Sequence, residues 1–187
     1  MELSNLNINN GLCISLGANI DSKYGDPITS LIVSKPKIEF IVKEWIDSRN
    51  LLKKAERSIE INFTWSSLYK THPQGISEIQ PDYINTLLLA KSNFFPSPTL
   101  KEANYLLNKF KALENEFGRK KFLTKRWLPR CLDIDIIWFE NLSINDANIT
   151  LPHPRFTNRN FVIAPLSEIL SKSQKVERLN VNEWLVI

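Results

Sequence analysis

Glycine is scarce in this chain. Only five of 187 residues are glycine, and neither common phosphate-cradling pattern, G-x-x-x-x-G-K-[ST] or G-x-G-x-x-G, occurs. If a phosphate binds, side chains must hold it. Cysteine is limited to Cys13 and Cys131, far apart and without metal-ligand spacing, which argues against a zinc site or a disulfide framework. Both are expected to be reduced thiols of a cytosolic protein. No apolar run reaches about 18 residues, so no membrane-spanning helix is expected. Residues 1–10 are polar and lack the basic-then-apolar order of a signal peptide. No Ser/His/Asp or Cys/His arrangement marks a covalent nucleophile.

What is present is ordinary in bulk and unusual in distribution. Apolar residues make up 43% and charged residues 24%, as in globular proteins generally. The length suits one domain, and the economical expectation is a single domain over 1–187 with residues 1–10 as a loose tail. Net charge is +4, yet residues 119–130 hold six basic residues (Arg119, Lys120, Lys121, Lys125, Arg126, Arg130) and no acid. A solvated basic loop, a weak nucleic-acid patch and a site for an anionic ligand all fit that run.

The residues that follow favour the anionic ligand. Cys131-Leu132-Asp133-Ile134-Asp135-Ile136-Ile137-Trp138-Phe139 reads as a strand. Side chains alternate faces along a strand, so Asp133 and Asp135 share one face, roughly 6–7 Å apart. Two carboxylates on that scale can hold a hard cation each, or share a pair about 3.5–4 Å apart. Arginines beside them suit a polyphosphate. A solvent-facing strand with acidic outward positions would read the same way if the basic loop were absent.

The remaining elements follow from periodicity and punctuation. Residues 12–16 form a short apolar strand ending in a turn at Gly17-Ala18-Asn19. Asp26-Pro27 opens a short helical turn, and Pro36 is expected to interrupt any longer helix. Ile38, Ile41, Val42, Trp45 and Ile46 then fall at helical spacing, with the helix running to about Arg57. Ile59, Ile61, Phe63 and Trp65 alternate as a strand, and the phase slips through Ser66 to Tyr69 as a bulge would make it. A loop with Pro73, Gly75 and Pro81 leads to a strand over 83–90 with Tyr83 and Asn85 on one face. Thr99 and Glu102 fit a capping box for a helix lined by Ala103, Leu106, Leu107, Phe110, Leu113 and Phe117, ended by Gly118. After the aspartate strand come a turn at Glu140-Asn141, an irregular stretch ending at Pro152-His153-Pro154, and a short helix over 161–170. This order predicts an α+β, ferredoxin-like antiparallel sheet with helices packed on one face.

Other side chains carry two readings each. His153, between two prolines and followed by Arg155 and Arg159, is an ordinary loop histidine or a phosphate partner by hydrogen bond or partial charge. His72 reads more simply as an exposed loop residue. Tyr83 beside Asn85 is a core pair, or a plane and an edge for a flat heteroaromatic ring. Trp127 anchors the basic loop or closes over a ligand.

These residues bring the chain close to a known family. It resembles the 6-hydroxymethyl-7,8-dihydropterin pyrophosphokinases of folate biosynthesis. The resemblance runs in order through Leu16-Gly17-Ala18-Asn19, Ser66-Ser67-Leu68-Tyr69-Lys70-Thr71, Gln80-Pro81-Asp82-Tyr83-Ile84-Asn85, residues 114–119, Arg126-Trp127-Leu128-Pro129-Arg130-Cys131-Leu132-Asp133-Ile134-Asp135, Leu151-Pro152-His153 and Asn158-Arg159-Asn160-Phe161. It implies a cytoplasmic monomer that moves the β,γ-diphosphoryl group of ATP to the pterin hydroxymethyl group and releases AMP. It further implies two Mg²⁺ ions on Asp133 and Asp135, and a pterin between Tyr83 and Phe161 with Asn85 and Asp133 beside it. Thr71, His72 and Gln74 would lie along the pterin loop. Glu114, Arg119, Lys121, Trp127, Arg130, Ile136, His153 and Arg159 match nucleotide-side positions, with Arg119 and Arg130 also catalytic.

The chain departs from the family pattern at Leu128, Ala18 and Lys111, and its segment from Asn19 to Ile59 is longer than in compact members. Neither a nucleic acid nor a membrane is expected as partner. The rival from another class is a nucleic-acid-binding module using the basic loop, Trp127 and Tyr83. A third account is a degenerate family member that binds pterin without transfer.

Overall fold

The computed structural model describes residues 11–53, 58–73, 80–119, 128–174 and 185–186. The main elements are β1 (Leu12–Ala18), α1 (Pro27–Lys53), β2 (Ile61–Trp65), β3 (Tyr69–Thr71), β4 (Tyr83–Ser92), α2 (Leu100–Glu116), β5 (Asp133–Phe139), β6 (Ile144–Asn145), β7 (Thr150–Leu151), α3 (Asn160–Gln174) and β8 (Leu185–Val186). The fold is α+β. A six-stranded sheet runs β5-β1-β4-β3-β8, with β2 also pairing β4, and the paired strands are antiparallel. A small β6–β7 hairpin sits apart.

Parity along the central strands sorts the sheet into two faces. Leu12, Ile14, Leu16 and Ala18 of β1 join Ile84, Leu88 and Ala90 of β4 and Ile134 and Ile136 of β5 in one core cluster, covered by α1 and α2. Cys13 of β1, Leu87 and Leu89 of β4, and Ile137 and Trp138 of β5 form a second cluster under Val162, Leu166 and Ile169 of α3. The helices therefore lie on both faces, not on one as the element order suggested. The second face is apolar only at one end, where α3 covers it. Its other end carries Ser15, Gly17, Asn85, Asp133 and Asp135, and stays open.

Two local outcomes differ from the sequence expectation, and a third, the slip after Trp65, agrees with it. α1 is continuous through Pro36. Pro36 lies on the exposed side of the helix with Ile32 (55% exposed) and Phe40 (63% exposed), so the carbonyl deprived of its usual donor is on the solvated side. Asp26 starts the helix by accepting the Thr29 N–H at 2.7 Å, with Pro27 at the first helical position, where a missing N–H is harmless. Secondly, Gly17 is not a turn residue: it pairs with Asn85 on one side and Asp133 on the other, inside β1. Thirdly, the slip after Trp65 separates β2 from β3. Trp65 faces Leu88 and Tyr69 faces Asn85, four steps against three, which places one extra residue in that stretch.

α2 follows its start and stop signals, with only the Thr99 half of the expected capping box made. Thr99 caps it by accepting the Glu102 N–H at 3.4 Å, and Gly118 ends it at φ +102°. The Glu102 carboxylate is occupied by α1, accepting from Trp45 Nε1 at 2.7 Å and Arg49 Nε at 3.0 Å. Trp45 is fully buried and meets Phe139 edge-on at 5.3 Å. Both cysteines are buried and free.

Candidate active site

The open end of the second sheet face forms the floor of a cavity of about 460 Å³. β5 contributes Asp133 and Asp135, β1 contributes Ser15 and Gly17, and β4 contributes Tyr83 and Asn85. Thr71 and His72 close one side; His153, Arg155, Asn158, Arg159 and Phe161 close the other. β5 is an edge strand, and its two carboxylates face the cavity.

A bulge in β5 shapes the second wall. Ile14 faces Ile136 while Cys13 faces Trp138, which leaves Ile137 as the extra residue. The Ile137 carbonyl accepts the His153 N–H at 2.7 Å, so the bulge anchors the His153 loop beside Asp135. His153 Nδ1 accepts the Arg155 backbone N–H at 3.3 Å, which puts the ring proton of the neutral form on Nε2. Burial, then Arg159 and Arg155, push the His153 pKa down to about 4. At neutral pH His153 is therefore a neutral N–H donor, not a cation.

The carboxylates are held by arginines. Asp133 pairs with Arg130 and with Arg119 at 3.1 Å; Asp135 pairs with Arg159 at 3.3 Å. Arg119 also pairs with Glu114, a residue 3% exposed that accepts the Ile134 N–H at 2.8 Å. Glu114 thus caps the free edge of β5 between the two aspartates. Burial and the neighbouring Asp133 raise its pKa to about 7. Asp135 keeps 39% side-chain exposure, but its open side is the cavity itself. Burial and the charge of Asp133 lift its pKa to about 6 despite the three arginines. A carboxylate whose ionisation is opposed by burial and by a neighbouring charge, as for Asp135, makes a place where a cation is favoured. Among the described residues no group of three or more His, Cys, Asp or Glu forms. A pair of oxygen donors leaves the other positions to water and phosphate, which suits Mg²⁺ and not a zinc site.

The Asn85 side of the cavity is equally defined. Asn85 is 3% exposed and its Nδ2 donates to Thr71 Oγ1 at 2.9 Å and to the Tyr69 carbonyl at 3.4 Å. That leaves Oδ1 as its acceptor, on the side of Gly17, 3.0 Å from where a Cβ there would lie. Across the cavity, the Arg159 guanidinium lies 5.4 Å from the Phe161 ring centre. Asn19, buried at the end of β1, ties the loops together: its Oδ1 accepts the Arg130 N–H at 2.7 Å and its Nδ2 donates to the Pro81 carbonyl at 3.2 Å.

A family model described as 7,8-dihydro-6-hydroxymethylpterin-pyrophosphokinase matches residues 41–171. The chain belongs to this family. It is 41% identical over 108 residues to 2-amino-4-hydroxy-6-hydroxymethyldihydropteridine pyrophosphokinase of Haemophilus influenzae, covering 58% of this chain and 61% of that protein. It is 36% identical over 110 residues to the protein of the same name from Bacillus subtilis, covering 59% of this chain and 60% of the relative. A match of 29% identity over 161 residues reaches the folic acid synthesis protein fol1 of Pneumocystis carinii, covering 86% of this chain and 18% of that much longer protein. The matched segments thus span about three-fifths of the two bacterial pyrophosphokinases.

Of the residues expected at a pyrophosphokinase site, Thr71, His72, Tyr83, Asn85, Arg130, Asp133, Asp135, His153, Arg159 and Phe161 line the one cavity. Arg119 reaches it through Asp133. Glu114 lies behind it, against the β5 edge. Ile136 has the opposite parity to the aspartates and is packed in the core at 4% exposure. Gln74, Lys121 and Trp127 lie outside the described residues. Ser15, Gly17, Leu128, Arg155 and Asn158 also line the cavity and had no place in the expected site. Ser15 and Gly17 could have been found from parity, being the non-apolar positions on one face of an otherwise apolar strand.

Proposed function

We propose that this chain transfers the β,γ-diphosphoryl group of ATP to the hydroxymethyl group of 6-hydroxymethyl-7,8-dihydropterin, releasing AMP. One observation carries the reading: a carboxylate pair ringed by arginines and the aromatic rings of Tyr83 and Phe161 line the same cavity. Family membership and the names of the bacterial relatives support the same substrates.

The residues divide the work by chemistry. Tyr83 and Phe161 hold the two faces of the pterin, and Asn85 Oδ1 accepts from its edge. Two Mg²⁺ ions held by Asp133 and Asp135 would neutralise the phosphates and polarise the β-phosphoryl group. Arg119, Arg130 and Arg159 exchange their carboxylate partners for phosphate oxygens and stabilise charge growing on the transferred group and on AMP. His153 Nε2–H donates to a phosphate oxygen. The hydroxyl oxygen of the pterin bonds to the β-phosphorus as the bond from that phosphorus to the bridging α,β-oxygen breaks; AMP leaves with the bridging oxygen, and the hydroxyl proton passes to water. Positioning dominates such a transfer.

Incubation with ATP, Mg²⁺ and the pterin should give AMP and pterin diphosphate in equal amounts. Release of ADP, or no AMP, would overturn the reading. A pterin-binding member without transfer would bind the pterin in that assay and yield no AMP. A nucleic-acid module would show steep salt dependence and indifference to loss of both aspartates; arginines already paired with carboxylates count against it.

A further inference from the structure

Gly17 stands in the sequence motif Leu16-Gly17-Ala18-Asn19, and nothing above gives it a task. It sits inside a central strand, where glycine weakens the sheet because it adds no packing and loses more chain freedom on folding. Its backbone is not the reason: among the described glycines Gly11, Gly25 and Gly118 have positive φ, and Gly17 does not. Space is the reason. A Cβ at Gly17 would lie 3.0 Å from Oδ1 of Asn85 and 3.6 Å from a ring carbon of Tyr83.

Asn85 cannot yield that space cheaply. Turning its amide away would break the bonds from Nδ2 to Thr71 Oγ1 at 2.9 Å and to the Tyr69 carbonyl at 3.4 Å, within a side chain 3% exposed. On its other flank Gly17 faces Asp133 across the β1–β5 register, so the bare patch lies between the Asn85 side of the cavity and the carboxylates.

We propose that Gly17 is a specificity-determining position: the space over its Cα belongs to the ring-binding site and is kept clear so that the N–H-bearing edge of a flat heterocycle reaches the Asn85 amide oxygen. The inference deepens the pterin reading and rests on it. Because Nδ2 is already committed, Asn85 presents an acceptor, and the ligand edge there must donate. A methyl group at Gly17 displaces that edge or the acceptor itself.

The test uses the full chain with Gly17→Ala. Calorimetry measures 6-hydroxymethyl-7,8-dihydropterin and, separately, a non-hydrolysable ATP analogue with Mg²⁺; thermal melting measures the fold. The expected result is pterin affinity lowered about tenfold or more, the loss of one buried hydrogen bond. The analogue should bind within about twofold of wild type, a difference too small to reflect a lost contact, and the melting temperature should fall only slightly, the strand's gain from alanine offsetting part of the strain beside Asn85. In an Asn85→Ala background, Gly17→Ala should cost far less, since the acceptor it disturbs is gone. Equal pterin affinity in wild type and Gly17→Ala overturns this inference and leaves the proposed function standing. Parallel loss of pterin and nucleotide binding, or a large fall in melting temperature, makes Gly17 a structural residue and overturns it too. Failure of the wild type itself to bind the pterin removes the proposed function, and this inference with it.

Discussion

At the scale of single residues, charge placement decides what the cavity can do. Asp135 lies where its ionised form is disfavoured by burial and by Asp133, a condition that a bound cation relieves. Asp135→Asn should lower the proposed diphosphoryl transfer by at least about a hundredfold, with the circular dichroism spectrum and melting temperature kept; turnover near wild type would remove Asp135 from the proposed metal site. Tyr83→Ala should weaken pterin binding about tenfold or more and leave nucleotide binding nearly as it was, by calorimetry. His153 has a pKa of about 4 in the folded chain against about 6.5 when unfolded. Between those values the unfolded state takes up a proton that the folded state refuses, so stability falls as pH drops from about 6.5 to 4. His153→Asn should make that fall shallower in denaturant titrations at a series of pH values, and an identical slope would contradict the assignment.

At the scale of elements, some features could be read from the chain and some could not. Thr99 and Gly118 bracket α2 because a hydroxyl cap and a left-handed glycine act within a few residues. The aspartate strand was legible for the same reason, since alternation needs no partner. Pro36 misled because its cost depends on which side of the helix its lost hydrogen bond faces, and that side is set by packing of Leu31, Ile38, Val42 and Trp45. Pro36→Ala restores a donor on the exposed face and should raise stability by about 1 kcal/mol or more, read as a higher melting temperature. Gly17 misled likewise: glycine signals a turn locally, while here a neighbouring strand's side chain requires the missing Cβ.

At the scale of the molecule, the sheet works as a two-sided partition. One face is closed by α1 and α2 over a continuous apolar core. The other is sealed by α3 at one end and left open at the end that holds Asp133, Asp135, Asn85 and Gly17. Ligands should therefore stabilise the whole fold through this open end. A nucleotide with Mg²⁺ at a hundredfold excess over its dissociation constant should add about 2.7 kcal/mol of stability. A chelator should remove most of that gain in a thermal melt; a gain unaffected by chelation would argue against metal-assisted nucleotide binding. No helix among the described residues is long and apolar enough to cross a membrane.

The chain by itself determined the α+β order, the faces of its strands and the identity of the paired aspartates, because periodicity and capping are properties of neighbours in sequence. It also carried the family through motifs scattered from Leu16 to Phe161. Only the tertiary structure decided that α3 crosses to the far face, that Glu114 is buried against the edge of β5, that Asn19 joins two loops, and that Gly17 keeps a gap beside Asn85. Each of these depends on residues tens of positions apart meeting at fixed distance, and no local pattern encodes such a meeting.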